Sequence, residues 1–425
     1  MHLQMILGRL TQPRQVRTLF SLCWIAYFTT YLGRLSYGAC LVEITASTGW
    51  SKGEAGLIAT GFFTVYGLSQ LLSGIIGDKL SPKLLVTFGL GGSGLINLLF
   101  PLMPSAGAAM ALWCLNGSVQ SMIWSPLIRM LSERLPEEKR LHTCANMNST
   151  APAGTLAVYG MSATLVYFSS WKAVFYLCGL LMVCVAMVWF VGITRLEQHL
   201  DPTDAFVRKS SAASSPLEHT PSTLQLAVAS AVPLCCVALL MQGMLKDGVT
   251  TWIPTFLGER FGLTASAAIL STTIVPLINL GGVYLAIWLN HTVFRNELRG
   301  AACFFLAGSF SLGLLLLAPS SSALVSLLLL ATATTFMMGV NTLLVSMLPS
   351  YYVNYGKCAT ISGILNTAAY LGSALSSYLN GAIAESYGWT VIMRCWLVYA
   401  VVGLIACLVS IRRWKNFRQM AISGS

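Results

Sequence analysis

Apolar residues along this chain gather in runs of about twenty, the length an α-helix needs to cross a bilayer core. Twelve such runs stand out, at 17–41, 54–78, 83–103, 107–131, 141–167, 171–193, 224–256, 265–289, 299–318, 321–347, 357–384 and 389–411. Short polar turns separate most of them. The one long polar interval, 195–223, follows the sixth run and carries Ser, Thr, Pro and charges of both signs. The pattern predicts an all-α membrane protein of 12 transmembrane helices in a 6+6 plan. One six-helix bundle spans 1–194, a linker with a short helix at 202–209 spans 195–223, and a second bundle with a short basic tail spans 224–425.

Composition agrees: 56% of the 425 residues are hydrophobic and 9% charged, against about 25% charged in a soluble domain. The net charge of +11 could suggest nucleic acid, but its placement does not. With the N-terminus inside, nineteen of the 25 Lys and Arg flank the runs on the cytoplasmic side, from Arg9, Arg14 and Arg17 to Arg418. Lys52, Lys172, Arg260 and Arg394 fall outside, and Arg34 and Lys246 lie within runs. This asymmetry is the positive-inside rule, so both termini are expected in the cytoplasm and no nucleic-acid partner is implied. The first run is too long for a cleaved signal peptide, and no small-residue cleavage pattern follows it. The twelve cysteines are scattered without metal spacing and read as packing residues. No N-x-S/T triplet falls in an outer loop, which fits a bacterial inner (plasma) membrane.

Arg34 and Lys246 carry the most information. A charge at the bilayer centre costs about 2.5–3.5 kcal/mol on insertion scales, so such a residue is a functional-site candidate by default. The two are 212 positions apart, and the chain repeats at nearly that offset. Asp78 maps to Asn290 at 212; Asn148 maps to Asn366 and Trp171 to Trp389 at 218. Equivalent cations in two halves point to a site for one anion on the axis between them, near the midplane, as in secondary carriers built from repeats.

Gly74-x-x-x-Asp78-Lys79 followed by Ser81-Pro82-Lys83 resembles the loop after the second helix of the major facilitator superfamily. The segments YLGRLSYG around Arg34, LVEITASTGWSKGEAGLIATGFFTVYGLSQLLSGIIGDKLSPK and LKDGVTTWIPTFL around Lys246 resemble, more narrowly, the organophosphate:phosphate antiporter family. That family includes the glycerol-phosphate and hexose-phosphate transporters. The resemblance implies the 6+6 major facilitator fold. It also implies an Arg at position 34 that binds the substrate's phosphate, and tyrosines at 27 and 31 that line the cavity. The family usually carries Arg where this chain has Lys246. Lys keeps the charge and loses the planar fork.

Tyr27, Tyr31 and Arg34 stand at i, i+4 and i+7 and share a helix face. Lys246 is followed by Asp247, which has three readings: an ion pair with its neighbour, a contact at a helix N-terminus, or a proton carrier in coupling. Tyr66 and Gln70 share a face of the second run. Gln70 stands where the family often has Lys, and reads equally as a substrate ligand or as interhelical glue. Ser149 falls where some members carry His. Asn148 and Asn366 are candidates for polar cavity groups or for helix packing. Asp78 and Lys79, with Arg129 at the end of the fourth run, read as an inner gate in which the carboxylate meets a helix N-terminus or a nearby Arg. In the family, an Arg matching Arg129 often pairs with this Asp.

The resemblance implies exchange of a sugar phosphate or glycerol phosphate for inorganic phosphate. Two cations about 8 Å apart repel by roughly 2 kcal/mol at an effective dielectric near 20, and a dianion between them reverses the sign. A proton-linked carboxylate carrier and a transporter-like sugar-phosphate sensor are the alternatives. No nucleophile with a paired base, metal cluster or P-loop appears, so neither an enzyme nor a cofactor is expected. A monomer in the lipid bilayer is expected.

Overall fold

In the computed structural model the described residues are 10, 12–50, 52–198, 223–263, 274–317 and 322–423. Among them every regular element is helical, and twelve helices reach at least 16 residues. These are α1 Pro13–Ala39, α2 Lys52–Lys79, α3 Pro82–Leu99, α4 Ala106–Arg134, α5 Thr150–Phe168, α6 Trp171–Gln198, α7 Val232–Phe261, α8 Ile274–Leu289, α9 Glu297–Leu317, α10 Ala323–Asn341, α11 Cys358–Tyr387 and α12 Trp389–Ser423. Shorter helices cover Leu41–Thr48, Glu137–Asn146 and Thr223–Ala229. Arg9 and the interval 199–222, with the short helix expected at 202–209, lie outside the described residues.

By length and composition, α2, α3, α6 to α10 and α12 are able to cross a membrane. The other four are more polar; α1, α4 and α11, with the turn before α5, lend side chains to the interior described below. Around the perimeter, Leu72, Phe88, Leu95, Trp288, Phe310 and Leu317 are all more than half exposed. A continuous apolar exterior over satisfied helical backbone is what lipid requires.

Three expected helices are interrupted, each beside a proline. Pro152 has no N–H for the carbonyl of Asn148, and its ring crowds that oxygen. The chain there tightens into a 3-10 turn, Met147–Ser149, before α5. Pro349 acts likewise on Val345, and α10 leaves through a π turn at Thr342–Met347 and a 3-10 stretch at Leu348–Tyr355. Before α7, Ala231 takes a positive φ of 64° and Pro233 opens the helix.

The repeat recurs in side-chain contacts. Trp171 Nε1 donates to Ser47 Oγ at 2.7 Å, and Trp389 Nε1 donates to Glu259 Oε2 at 2.7 Å. The tryptophans are 218 positions apart and their acceptors 212, the two offsets of the sequence repeat. Between the halves, α2 lies directly on α11. A Cβ on Gly74 would come within 2.7 Å of the Ala359 carbonyl, so only glycine permits this approach.

Candidate functional site

The α1 segment around Arg34 is fixed by a buried polar network. Asn97 and Asn116 each donate through Nδ2 to the Gly33 carbonyl at 3.1 Å. Ser93 Oγ donates to Asn116 Oδ1 at 2.5 Å, and Gln120 Nε2 donates to Ser93 Oγ at 2.8 Å. Asn97 on α3 and Asn116 on α4 therefore hold α1 one residue before the cation.

Arg34 is 5% exposed. Its NH2 donates to Thr30 Oγ1 at 2.7 Å, its Nε to the Thr30 carbonyl at 3.4 Å, and its NH1 to the Tyr370 hydroxyl at 3.3 Å. Its guanidinium lies 4.4 Å from the Tyr31 ring centre, 5.0 Å from Tyr66 and 5.6 Å from Tyr27. Ring faces attract a cation at these distances. Among the described residues no carboxylate contacts Arg34. Its neutral cage includes Tyr370, from α11 of the other half.

On the other side of this tyrosine wall lies a central cavity of about 40 Å³. Tyr27, Tyr31 and Trp124 line it from one half; Gln242, Lys246, Asp247, Asn341, Asn366, Tyr370 and Ser373 line it from the other. Asn148 completes the wall and donates to Ser346 Oγ at 2.5 Å, between the halves. Sites for drug-sized ligands occupy about 300–1,000 Å³, so the space is contracted, and Tyr370 must leave Arg34 before the guanidinium can meet a ligand.

Lys246 and Asp247 form an ion pair, Nζ to Oδ1 at 3.2 Å, with side chains 25% and 37% exposed. Successive helix residues point about 100° apart, but the long lysine stem carries its ammonium across. The other carboxylate oxygen of Asp247 accepts a hydrogen bond from Ser373 Oγ on α11.

Gln70 and Ser149, both expected ligands, neither line the cavity nor bond Arg34. Gln70 is fully buried, and neither amide atom has a hydrogen-bond partner among the described residues. Ser149 accepts from Trp24 Nε1 at 2.8 Å and donates to the Asn146 carbonyl at 2.8 Å, which commits it to packing. Tyr66 reaches Arg34 and stacks edge-on to Tyr370, its ring centre 4.7 Å away. The unforeseen wall residues Tyr370 and Ser373 stand at i+4 and i+7 from Asn366, the spacing that marks Tyr27, Tyr31 and Arg34. That signal was present in the sequence. Gln242 lies 212 positions after Thr30, the neighbour of Arg34.

At the end of α2, Asp78 crosses between the halves. Oδ1 accepts from the Ala359 N–H and Oδ2 from the Thr360 N–H, both at 2.8 Å, at the N-terminus of α11. Arg129 does not bond Asp78 directly, contrary to the expected pairing. Its Nε donates to Glu133 at 2.8 Å, and its NH1 donates to the Gly77 and Leu80 carbonyls at 2.6 and 3.2 Å. The free carbonyls closing α2 draw the guanidinium. Lys79 is exposed and takes no part in holding Asp78. Asn290, the repeat equivalent of Asp78, turns to Glu297 within its own half, so the charged latch is one-sided.

Residues 23–377 match the family model described as Major Facilitator Superfamily. The chain belongs to this superfamily. Its relatives include proteins named as hexose-phosphate and glycerol-phosphate transporters. It is 25% identical to the membrane sensor protein UhpC of Salmonella typhimurium, over 86% of this chain and 85% of that protein. It is 21% identical to a probable hexose phosphate transport protein of Chlamydia trachomatis, over 93% and 90%. It is 22% identical to the glycerol-3-phosphate transporter of Bacillus subtilis, over 86% and 85%. The fold is similar to the proton:xylose symporter XylE, with a TM-score of 0.71 at 16% identity over 93% of this chain and 95% of that one. The protein is a multi-pass membrane protein of the transporter class.

Proposed function

We propose that this protein carries a phosphate-bearing organic anion of the sugar-phosphate or glycerol-phosphate type across the membrane, in exchange for inorganic phosphate. Arg34 carries this reading. It is a buried cation in a cage of neutral tyrosines, with no acidic partner among the described residues. A charge inside a membrane bundle is a functional-site candidate by default, and among the described residues this one has no acidic partner to neutralise it. The relatives named as hexose-phosphate and glycerol-phosphate transporters support the substrate class.

Arg34 and Lys246 are the phosphate ligands, with Tyr27, Tyr31, Tyr66, Asn148 and Asn366 shaping the site. Gln70 and Ser149 join only if the halves move. The halves, 1–194 and 224–425, rock about the site in alternating access as a monomer. Asp78 closes the cytoplasmic gate, and both termini face the cytoplasm, in keeping with the placement of Lys and Arg. In a bacterium this membrane is the inner one. The chemistry is transport, not catalysis.

The likeness to UhpC, named as a membrane sensor, supports a second reading in which the same site binds a sugar phosphate and signals. One experiment separates the two. Proteoliposomes loaded with labelled inorganic phosphate are challenged with glycerol phosphate, hexose phosphates and dicarboxylates. Efflux driven by a phosphate ester supports the carrier. Binding of the ester without efflux supports the sensor. Response to carboxylates alone contradicts both.

A further inference from the structure

The cavity holds its own anion. Asp247 sits 3.2 Å from Lys246, partly exposed to the cavity, and Ser373 on α11 steadies its second oxygen. This arrangement is not needed to bury a lysine. Lys246 itself is a quarter exposed to the space an anion would occupy. The carboxylate changes the empty state. Without it, two cations from opposite halves would face each other across a contracted, poorly hydrated site, and like charges at close range in low dielectric resist approach. With it, Lys246 is neutralised and Arg34 alone remains charged, screened by aromatic rings. The halves can then meet with no ligand between them, as they do here around a cavity of about 40 Å³.

We propose that Asp247 stands in for the counter-substrate, so that the unloaded carrier returns across the membrane and the protein performs net uptake of its anion as well as exchange. The inference rests on the anion-site reading of the cavity. An arriving phosphate ester competes with Asp247 for the Lys246 ammonium; on release Asp247 takes the ammonium back. Ser373 holds the carboxylate near Lys246 in the meantime and ties this exchange to α11, the helix whose Tyr370 caps Arg34 and whose N-terminus meets Asp78.

The test compares two rates in proteoliposomes of the full chain. One is uptake of a labelled phosphate ester into vesicles lacking any internal phosphate compound. The other is uptake of the same ester into phosphate-loaded vesicles. Wild type should show both. In Asp247→Asn the ratio of net uptake to exchange should fall roughly tenfold or more, because the repulsion of the empty site returns. Asp247→Glu should restore the ratio.

Three results would overturn the proposal and leave the carrier reading standing. One is wild-type exchange without net uptake, which leaves the anion reading intact. A second is an unchanged ratio in Asp247→Asn. The third is loss of both rates in Asp247→Asn with both regained in Asp247→Glu, which would make the carboxylate a requirement of every transport step. A wild type that moves no phosphate compound in either assay defeats the carrier reading, and this proposal with it.

Discussion

Arg34 keeps its charge inside the bundle by spreading contacts over three tyrosine faces, the Tyr370 hydroxyl and its own helix. None of these neutralises it, so Arg34→Ala should leave the fold intact and remove anion exchange. A loss of 10- to 100-fold or more is expected, since a hydrogen bond to a charged group is worth about 1.5–3 kcal/mol. Exchange measurements on variants with matched melting curves check this, and equal exchange by wild type and variant would remove Arg34 from the site. At this scale the sequence was most legible where a residue broke the hydrophobic pattern. Arg34 and Lys246 announced themselves as charges within apolar runs. Asn97, Asn116 and Gln120 did not, because a neutral amide in a membrane helix looks the same whether it holds a neighbour or a ligand. The ion pair of Lys246 with Asp247 was legible as one of three readings, and the choice among them was not: backbone geometry separates the two, and the contact depends on how the lysine stem bends in the cavity.

Helices were legible as runs, and their interruptions less so. Hydropathy passes straight through Pro152 and Pro233, whereas the backbone does not. α6 continues to Gln198 and α12 to Ser423, beyond the apolar boundaries, because a helix needs no lipid to continue. Asp78 and the N-terminus of α11 form the contact between elements on which gating would depend. Asp78→Asn keeps one acceptor and loses the charge at the helix N-terminus, a loss of up to about 2 kcal/mol. Turnover should fall about tenfold by that measure, with equilibrium affinity little changed. A fall in affinity with normal turnover of the bound form would contradict the gate assignment. In the second half, Glu297 is 1% exposed and accepts from Tyr351 and Trp414 at 2.8 Å each, tying α9, the stretch after α10 and α12 together. Glu297→Leu leaves those donors unmet, at about 1–3 kcal/mol for each buried group. Its melting temperature in detergent should drop while the affinity of the remaining folded protein stays near wild type.

Across the whole molecule, the two halves put equivalent positions to unequal use. Among the described residues, Arg34 has no carboxylate partner while Lys246 is paired; Asp78 latches across the interface while Asn290 turns inward. The all-helical membrane fold and the two cations could be read from the chain. The contracted cavity and the tyrosine cap could not, because they depend on how closely the halves approach. The central claim is that these halves meet around an anion held by Arg34 and Lys246. Equilibrium binding of labelled phosphate and of a phosphate ester to the purified double variant Lys246→Gln with Asp247→Asn tests it most directly. The double change removes the ion pair without leaving a lone charge, so a purely structural pair would be replaced at little cost. The account predicts a folded protein whose anion affinity is at least roughly tenfold weaker, the loss of one charge-assisted contact. Binding at wild-type affinity would show that Lys246 serves only Asp247, and the two-cation site would be contradicted.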